Sequence, residues 1–282
     1  MSQPIRNAST LVLARETSDG FEVFLSKRTA KAAFLASAYV YPGGRVDDAD
    51  HDLSIPVHGL ETCGTFEDTD DTKLFRAHVV ALLRECFEEA GVLLARDADG
   101  SVVELHDQER LASLAEKRAA LNAGTTTFAA VLGAEKLTLD AVGLDYFAHW
   151  ITPPFESRRF DTRFFFAVAP AGQEPVPDYS EMVHGQWFAA QDALDAYIAG
   201  EIQLAPPTLC TLEDLAGCTT LADALAWAAA EVPTPILPRL ETINDTMHLL
   251  LPGDPLYGSE NPVVGPTRVV LRNGKFSREY AS

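Results

Sequence analysis

Two runs of strand-forming residues near the start of the chain predict a β-hairpin. The runs STLVLARE (9–16) and FEVFLSKR (21–28) are rich in strand-forming residues, and TSDG between them has turn chemistry. AYVYPGG (38–44) predicts a further extended segment that ends at a Pro-Gly-Gly break. Aromatic residues predict three more strands later in the chain, in DYFAHWIT (145–152), DTRFFFAVAP (161–170) and MVHGQWFA (182–189).

A helical period predicts the elements between these strands. Helices are expected at about 73–94, 106–123, 126–133 and 190–199, and residues 45–72 form an acidic, irregular stretch. The order of strands, helix, strands and helix predicts a mixed sheet covered by helices, an α/β fold. Residues 206–232 predict two more helices. MHLLLPGDPLYG (247–258) and TRVVLRNGKF (267–276) predict two short strands, the second with an Asn273-Gly274 turn. We expect one domain over 1–204 and an extension over 205–282 packed on or beside it.

The first long helix combines an apolar stripe with a cluster of acids. At 100° per residue, Phe75, Val79, Leu83, Cys86 and Ala90 share one buried face. Another side carries three glutamates within reach of one another, Glu85, Glu88 and Glu89. A solvated acidic face is the bland interpretation. The glutamates, however, have no lysine four residues further on, and they end directly at Gly91. Hard oxygen ligands without counter-charge are typical of a Mg²⁺ or Mn²⁺ site.

Composition narrows the classes of partner. The chain has 22 Lys+Arg against 41 Asp+Glu, a net charge of −19, which argues against binding to nucleic acid or to an anionic membrane. The chain shows neither an apolar signal-peptide segment near its start nor an apolar run of about 18 residues. The four cysteines have no zinc spacing. We therefore expect free thiols and a cytoplasmic setting.

The segments GGRVDDAD (43–50) and RECFEEAGV (84–92) together resemble the signature of the Nudix hydrolases. Gly44 matches the first glycine of that signature, and the second half is matched by Arg84, Glu85, Glu88, Glu89, Gly91 and Val92. Three features depart from it. Asp50 stands in place of a glutamate, residues 51–83 replace a short spacer, and Cys86 replaces a bulky aliphatic residue.

The long spacer is similar to that of the coenzyme A diphosphatases with an expanded Nudix box and their bacterial relatives. FLSKRTAKAAFLASAYVYPGG (24–44), HWITPPFESRRFDTRFFFAV (149–168) and EIQLAPPT (201–208) resemble the same branch. The resemblance implies an α/β/α sandwich with a mixed sheet, a long insertion within the box at about 51–72, and a C-terminal helical extension. It also implies metal-dependent hydrolysis of a nucleoside diphosphate linked to another group.

The resemblance also implies roles for individual residues. Glu85, Glu88 and Glu89 would bind metal with the Gly44 carbonyl, and one glutamate would act as base. Arg84 would pair with Asp50 and orient the carboxylates. Glu181 is the best candidate for a further acid, although it is equally consistent with a solvated loop glutamate, and Glu156 is a weaker candidate. Basic residues near aromatics would bind phosphate unless they are solvated at a strand edge: Arg28, Arg45, Arg158 and Arg163.

Several functions stay open on these residues. Coenzyme A or an acyl-CoA is the favoured substrate, with ADP-ribose, NADH or another dinucleotide as alternatives. A module that senses a nucleotide without cleaving it is the rival from another class. The final residues EYAS differ from the peroxisomal signal S-K-L, which favours a cytoplasmic bacterial protein. The partner is expected to be a nucleotide-derived small molecule, and a homodimer is one candidate assembly.

Overall fold

The computed structural model describes residues 4–66, 68–230, 233–258, 263 and 265–281. Its α-helices, apart from short 3₁₀ turns and one π-helical turn, are α1 (Thr72–Glu85), α2 (Gln108–Asn122), α3 (Phe128–Glu135), α4 (Ala190–Ala199), α5 (Pro206–Leu215) and α6 (Leu221–Ala228). Its strands are β1 (Ile5–Thr17), β2 (Gly20–Arg28), β3 (Tyr39–Val40), β4 (Gly43–Arg45), β5 (Val57–His58), β6 (Ala95–Arg96), β7 (Thr138–Asp140), β8 (Asp145–Ile151), β9 (Arg159–Val168), β10 (Met182–Phe188), β11 (Pro235–Ile236), β12 (Arg239–Ile243), β13 (Thr246–Leu250), β14 (Arg268–Arg272) and β15 (Lys275–Glu279).

A mixed sheet of eight strands organises the molecule. Its order is β10-β2-β1-β9-β8-β11, with β3 paired to β2 and β4 paired to β1. The pairs β1–β9 and β8–β11 are parallel, and the other pairs of this sheet are antiparallel. The predicted hairpin is present as β1 and β2, and the predicted mixed sheet of an α/β fold is confirmed.

Alternation along the strands divides the core between the two faces of the sheet. Successive side chains of a strand point to opposite faces. Leu11 and Leu13 therefore pack in the cluster that contains α1, α2 and α3, whereas Val12 and Ala14 pack in the cluster that contains α4, α5 and α6. A third apolar cluster joins Trp150 of β8 and Phe164 of β9 to β13 and β14. Helices thus cover both faces.

Helix α1 begins and ends at identifiable residues. The side chain of Asp71 accepts hydrogen bonds from the backbone N–H groups of Lys73 and Leu74, which caps the first turn. The helix passes into one π-helical turn, Cys86–Ala90, and stops at Gly91, whose φ of 71° is left-handed. The helical segment, including the π-helical turn, therefore ends at Ala90, four residues before the predicted Leu94. The predicted buried stripe, including Cys86, is confirmed.

The last part of the chain adds a second sheet. Strands β12 to β15 form an antiparallel meander, and the predicted Asn273-Gly274 turn joins β14 to β15. Both turn residues have positive φ, 51° and 77°, as a two-residue type I′ turn requires. The sequence predicted two strands here, which correspond to β13 and β14. It missed β12, whose residues are almost all exposed, and β15 beyond its first two residues. The predicted domain division at residue 204 stays a prediction.

Two further features concern the cysteines and the apolar character of the helices. The four cysteines are free thiols, and all except the half-buried Cys218 are buried. Among the described residues, no helix combines the length and the apolar character that crossing a bilayer requires. A third, three-stranded sheet of β5, β7 and β6 ties part of the acidic 51–71 segment to the region after α1.

Candidate active site

Arg84 organises the acidic turn at the end of α1. Its Nε and Nη2 donate to the two carboxylate oxygens of Asp50 at 2.8 and 2.9 Å, the pairing expected from the sequence. Its Nη1 donates to Glu85 at 2.9 Å and to Glu88 at 3.3 Å. Its Nη2 also donates to the carbonyl of Arg45 at 3.0 Å. One buried guanidinium thus fixes three carboxylates and the β4 backbone, and the shorter Asp50 reaches it without difficulty.

The Gly-Gly pair of β4 lets this turn approach the sheet. A Cβ atom at Gly44 would lie 2.3 Å from Glu85 Oε1, so a larger residue would displace that carboxylate. The backbone N–H of Gly43 donates to Glu89 Oε2 at 2.9 Å. Glu89 is only 5% exposed. The two glycines therefore place Glu85 and Glu89 directly against the edge of β4.

Burial raises the carboxyl pKa values throughout the cluster. The pKa of Glu85 rises to about 7, because desolvation outweighs the opposing charge of Arg84. The pKa of Glu88 is raised by burial, again opposed by Arg84. The pKa of Glu89 is raised well above its ordinary value by burial and then by the charge of Glu85. The three carboxyl groups can therefore all ionise together only if a further positive charge lies beside them.

The carboxylate oxygens of these three glutamates are chemically suitable ligands for a hard divalent cation. Within the described residues, no group of three or more His, Cys, Asp or Glu side chains is arranged to hold a metal ion as it stands. The hydrogen bonds give a reason, because Glu85 and Glu88 each direct an oxygen to Arg84 and Glu89 directs one to Gly43. Each carboxylate retains a second oxygen and further lone pairs. Carboxylate oxygens of raised pKa without sufficient counter-charge are suitable ligands for Mg²⁺ or Mn²⁺.

A cavity of about 1320 Å³ opens from the acidic turn. Ligand pockets commonly have volumes of about 300–1,000 Å³, so there is room here for a large molecule. The cavity lies along the face of the sheet that also packs on the C-terminal part of the chain. Its wall includes the three glutamates, Gly43 and Gly44, and it also includes residues of β13 and β15.

Most of the predicted binding residues line this cavity. Arg28, Arg45 and Arg158 are in its wall, together with both candidate acids, Glu156 and Glu181. Arg28 Nη1 is 4.0 Å from Glu89 Oε1, and its Nη2 is 3.9 Å from Glu181 Oε2. The structure thus brings Glu181 close to the acidic turn through Arg28. The catalytic and binding roles of all these residues stay predictions.

Arg163 lies elsewhere, and its placement corrects the expectation that it binds substrate. The residue is 3% exposed, and its guanidinium donates to both carboxylate oxygens of Asp68 at 2.9 and 2.7 Å. It also donates to Tyr146 and His149. The pleat of β9 is the reason, because Thr162 and Phe164 face the cavity and Arg163 between them faces the opposite side.

Two residues of α2 support the acidic turn and were missed in the sequence. Arg118 Nε and Asn122 Nδ2 both donate to the backbone carbonyl of Glu88, at 2.9 and 3.2 Å. Gly91 leaves room for this contact, since a Cβ atom there would lie 2.8 Å from Arg118 Nη1. Both residues lie about one helical turn apart on α2. Nothing in the local pattern around residues 118–122 signals a contact with a helix thirty residues earlier.

Comparison with known proteins identifies the family. Residues 67–215 match the family described as the NUDT19 Nudix domain. The chain belongs to this family of Nudix hydrolases. The human protein named acyl-coenzyme A diphosphatase NUDT19 is 30% identical over 277 residues, an alignment that covers 85% of this chain and 73% of the human protein. The protein of the same name from Xenopus laevis is 24% identical, with 94% of this chain and 84% of that protein covered.

A solved Nudix structure supports the fold of this family member. The crystal structure of a NUDIX hydrolase from Alicyclobacillus acidocaldarius is 30% identical and superimposes with a TM-score of 0.63. The match covers 79% of this chain and 96% of the other. The predicted resemblance to Nudix hydrolases, and to the coenzyme A diphosphatases among them, is therefore confirmed.

Proposed function

We propose that the protein hydrolyses the diphosphate bond of coenzyme A or an acyl-CoA with the help of Mg²⁺ or Mn²⁺. The observation that carries the proposal is the cluster of Glu89, which is buried, with the half-buried Glu85 and Glu88 at one end of a cavity large enough for such a molecule. The names of the human and Xenopus laevis relatives support the substrate class. Family membership supports the reaction type.

The reaction is a displacement at phosphorus. The oxygen of a water molecule forms a bond to one phosphorus, and the bond from that phosphorus to the bridging oxygen breaks. Coenzyme A would yield 3′,5′-ADP and 4′-phosphopantetheine. A cavity carboxylate accepts the proton that the water loses. Glu85, Glu88 and Glu89 would hold the divalent ion, which supplies positive charge against these carboxylates and against the charge that develops on the diphosphate.

The remaining groups bind and orient. Arg84 is not available to bind the substrate, because its donors are already bound to Asp50, Glu85 and Glu88. Burial lowers its pKa, but hydrogen bonding to Asp50 and the charge of Glu85 outweigh burial and raise it. It is therefore permanently charged and positions the glutamates. Arg28, Arg45 and Arg158 supply the cations for an anionic substrate.

The proposal extends to the architecture. Residues 51–72 would be an insertion within the Nudix box, and residues 205–282 would be a C-terminal extension of the Nudix domain. Support comes from the position of the 51–71 segment between β4 and α1, which carry the two halves of the box. Further support comes from the residues of β13 and β15 in the cavity wall.

A substrate panel tests the activity. Coenzyme A, acyl-CoAs, ADP-ribose and NADH are incubated with Mg²⁺ or Mn²⁺, and the products are separated by chromatography. We expect release of 3′,5′-ADP from coenzyme A compounds. Glu88→Gln and Glu89→Gln should each reduce the rate by at least about 100-fold, the usual scale for removing a catalytic acid–base group.

An exposed glutamate on α2 provides the matched control. Glu116→Gln makes the same chemical change outside the cavity wall and should leave the rate unchanged. Equal turnover by the Glu88 and Glu89 variants would contradict the catalytic assignment. Cleavage of ADP-ribose or NADH in preference to coenzyme A would contradict the substrate. Tight binding without any cleavage would favour the sensing module.

A further inference from the structure

The floor of the cavity is a continuous row of residues across four strands. Arg45 of β4 pairs with Ala8 of β1, Ala8 pairs with Thr162 of β9, and Thr162 pairs with Trp150 of β8. All four residues line the cavity. Neighbouring strands are separated by about 4.8 Å, so the row spans about 14 Å from Arg45 to Trp150. The cavity therefore continues well beyond the acidic turn.

The chemical character changes along this row. At the β4 end the wall carries Arg45, Glu85 and Glu88. At the β8 end it carries Trp150 and Phe164, which are buried in the apolar cluster that also contains Leu249 and packs against Phe276. One end thus suits a diphosphate and a metal ion, and the other end suits an apolar group.

The C-terminal sheet supplies the wall at the apolar end. Met247 and Leu249 are two residues apart on β13 and line the cavity, whereas His248 between them faces a different, smaller pocket of about 180 Å³. Phe276 of β15 lines the same wall. Tyr197 of α4 holds the β14–β15 hairpin in place, because the Tyr197 hydroxyl donates to the backbone carbonyl of Phe276 at 3.1 Å. The position of the wall is therefore fixed by contacts with α4.

We infer that Trp150, Phe164, Met247, Leu249 and Phe276 form a subsite for the acyl chain of the substrate. The inference rests on the proposed function, which places the diphosphate at the glutamates. The pantetheine arm of an acyl-CoA, which leaves the diphosphate on the side opposite the adenosine, then extends along the row. The acyl chain at its end reaches the apolar wall. The C-terminal part of the chain is thus a specificity determinant for acyl length.

Met247 is the position at which to test the subsite. It is half-buried, so a larger side chain can enter the cavity without replacing a core residue. We expect Met247→Trp to lower kcat/KM for lauroyl-CoA at least tenfold and to change kcat/KM for unacylated coenzyme A less than twofold. Met247→Gln keeps the side-chain length and introduces a polar amide, and it should weaken the preference for lauroyl-CoA in the same direction.

Leu256→Trp is the matched control. Leu256 is 61% exposed and does not line the cavity. It should leave the ratio of kcat/KM for lauroyl-CoA to that for coenzyme A unchanged. Circular dichroism establishes that all three variants are folded. Equal effects of Met247→Trp on both substrates, or no effect on either, would overturn the subsite.

A binding measurement separates this inference from the proposed function. Laurate carries the apolar chain and no diphosphate, and calorimetric titration measures its affinity for the wild type and for the Met247 variants. Weaker laurate binding by both variants supports the subsite even if no coenzyme A compound is hydrolysed, an outcome that would count against the proposed function alone. Hydrolysis of coenzyme A compounds with no laurate binding and no change in acyl preference overturns the subsite alone.

Discussion

The backbone carbonyl of Glu88 is held by side chains from another helix. At the end of an α-helix the last carbonyls have no partner within the helix. Here Arg118 and Asn122 of α2 supply donors at 2.9 and 3.2 Å. The π-helical turn Cys86–Ala90 therefore depends on α2 for its shape. A residue that never lines the cavity can in this way control where Glu88 and Glu89 point.

Removal of this support should impair catalysis. We expect Arg118→Met to lower kcat by about 10-fold with little change in KM, since supporting contacts of ligand residues commonly contribute about 10–100-fold. Arg118→Lys, which can still donate to the carbonyl, should recover part of the loss. Steady-state kinetics on the proposed substrate measure both variants. A rise in KM with unchanged kcat, or no recovery by lysine, would argue against a positioning role.

The site residues that could be predicted are close together in the sequence, whereas the others reach their positions only through the tertiary fold. Glu85, Glu88, Glu89 and Arg84 lie within six consecutive positions, so a helical period alone brings them together. The role assigned to Arg163 failed because the sequence gives the alternation of β9 but not which face the cavity occupies. Arg118 was missed because its contact is tertiary.

At the scale of elements, an ion pair fastens the acidic 51–71 segment to the sheet. Asp68 accepts two hydrogen bonds from Arg163 of β9, and Arg163 also stacks over the ring of Phe66 at 4.4 Å. Phe66 in turn packs on Phe75 of α1. The segment that separates the two halves of the acidic signature is thereby anchored to both the helix and the sheet that carry the site.

Loss of the carboxylate should loosen this segment. Asp68→Asn removes the charge that faces a buried guanidinium. We expect the free energy of unfolding to fall by about 1–2 kcal/mol, a value reduced because the Asp68 side chain is 37% exposed. Urea denaturation measures the change, and limited proteolysis should cut within 51–71 sooner. Asp70→Asn, at an exposed acid two residues away, is the control. Equal proteolysis of the two variants would exclude the anchor.

Elements were predictable where burial imposes a period. The β1–β2 hairpin follows from two runs of strand-forming residues around a turn, and α4 follows from a 3.6-residue repeat that ends at a glycine. Strand β12 was not predictable, because an edge strand with exposed residues on both faces has no alternation. The end of α1 was placed too late, because the apolar residues Val92 and Leu93 continue the helical pattern although Gly91 has already turned the chain.

For the molecule as a whole, the two faces of the sheet have different chemistry. The face covered by α4, α5 and the C-terminal sheet contains the cavity. The other face buries a polar layer that includes Ser9, His78 and Arg163. His78 Nδ1 is 2.9 Å from Ser9 Oγ, and among the described residues His78 Nε2 has no hydrogen-bond partner. This histidine is suited to the neutral form only.

The buried histidine should make stability depend on pH. Burial, and then the charge of Arg163, lower the pKa of His78 from 6.5 to about 4, although Asp161 opposes them. The unfolded chain therefore binds a proton first, and the contribution of His78 to stability falls as pH drops from 6.5 toward 4. Between pH 6.5 and 5 the loss is about 2 kcal/mol.

A variant without the titrating ring isolates this contribution. Free energies of unfolding are measured in urea at several pH values for the wild type and for His78→Asn. The difference between the two proteins should be constant above pH 7 and should shrink below pH 6.5, because only the wild type loses stability through this group. A difference that is independent of pH between 7 and 5 would mean that His78 titrates alike in the folded and unfolded chains, and would contradict the lowered pKa.

The small side chain of Ala8 has a further consequence. Ala8 lies in the middle of the row from Arg45 to Trp150, and above it the space is continuous. A leucine or phenylalanine at this position would divide the cavity into two parts. The part beside the glutamates would still admit a nucleotide, and the part beside Trp150 would be closed to a long acyl chain. Among related proteins, the ability to accept a long-chain substrate should therefore depend on the size of the residue at the position of Ala8 in the first strand.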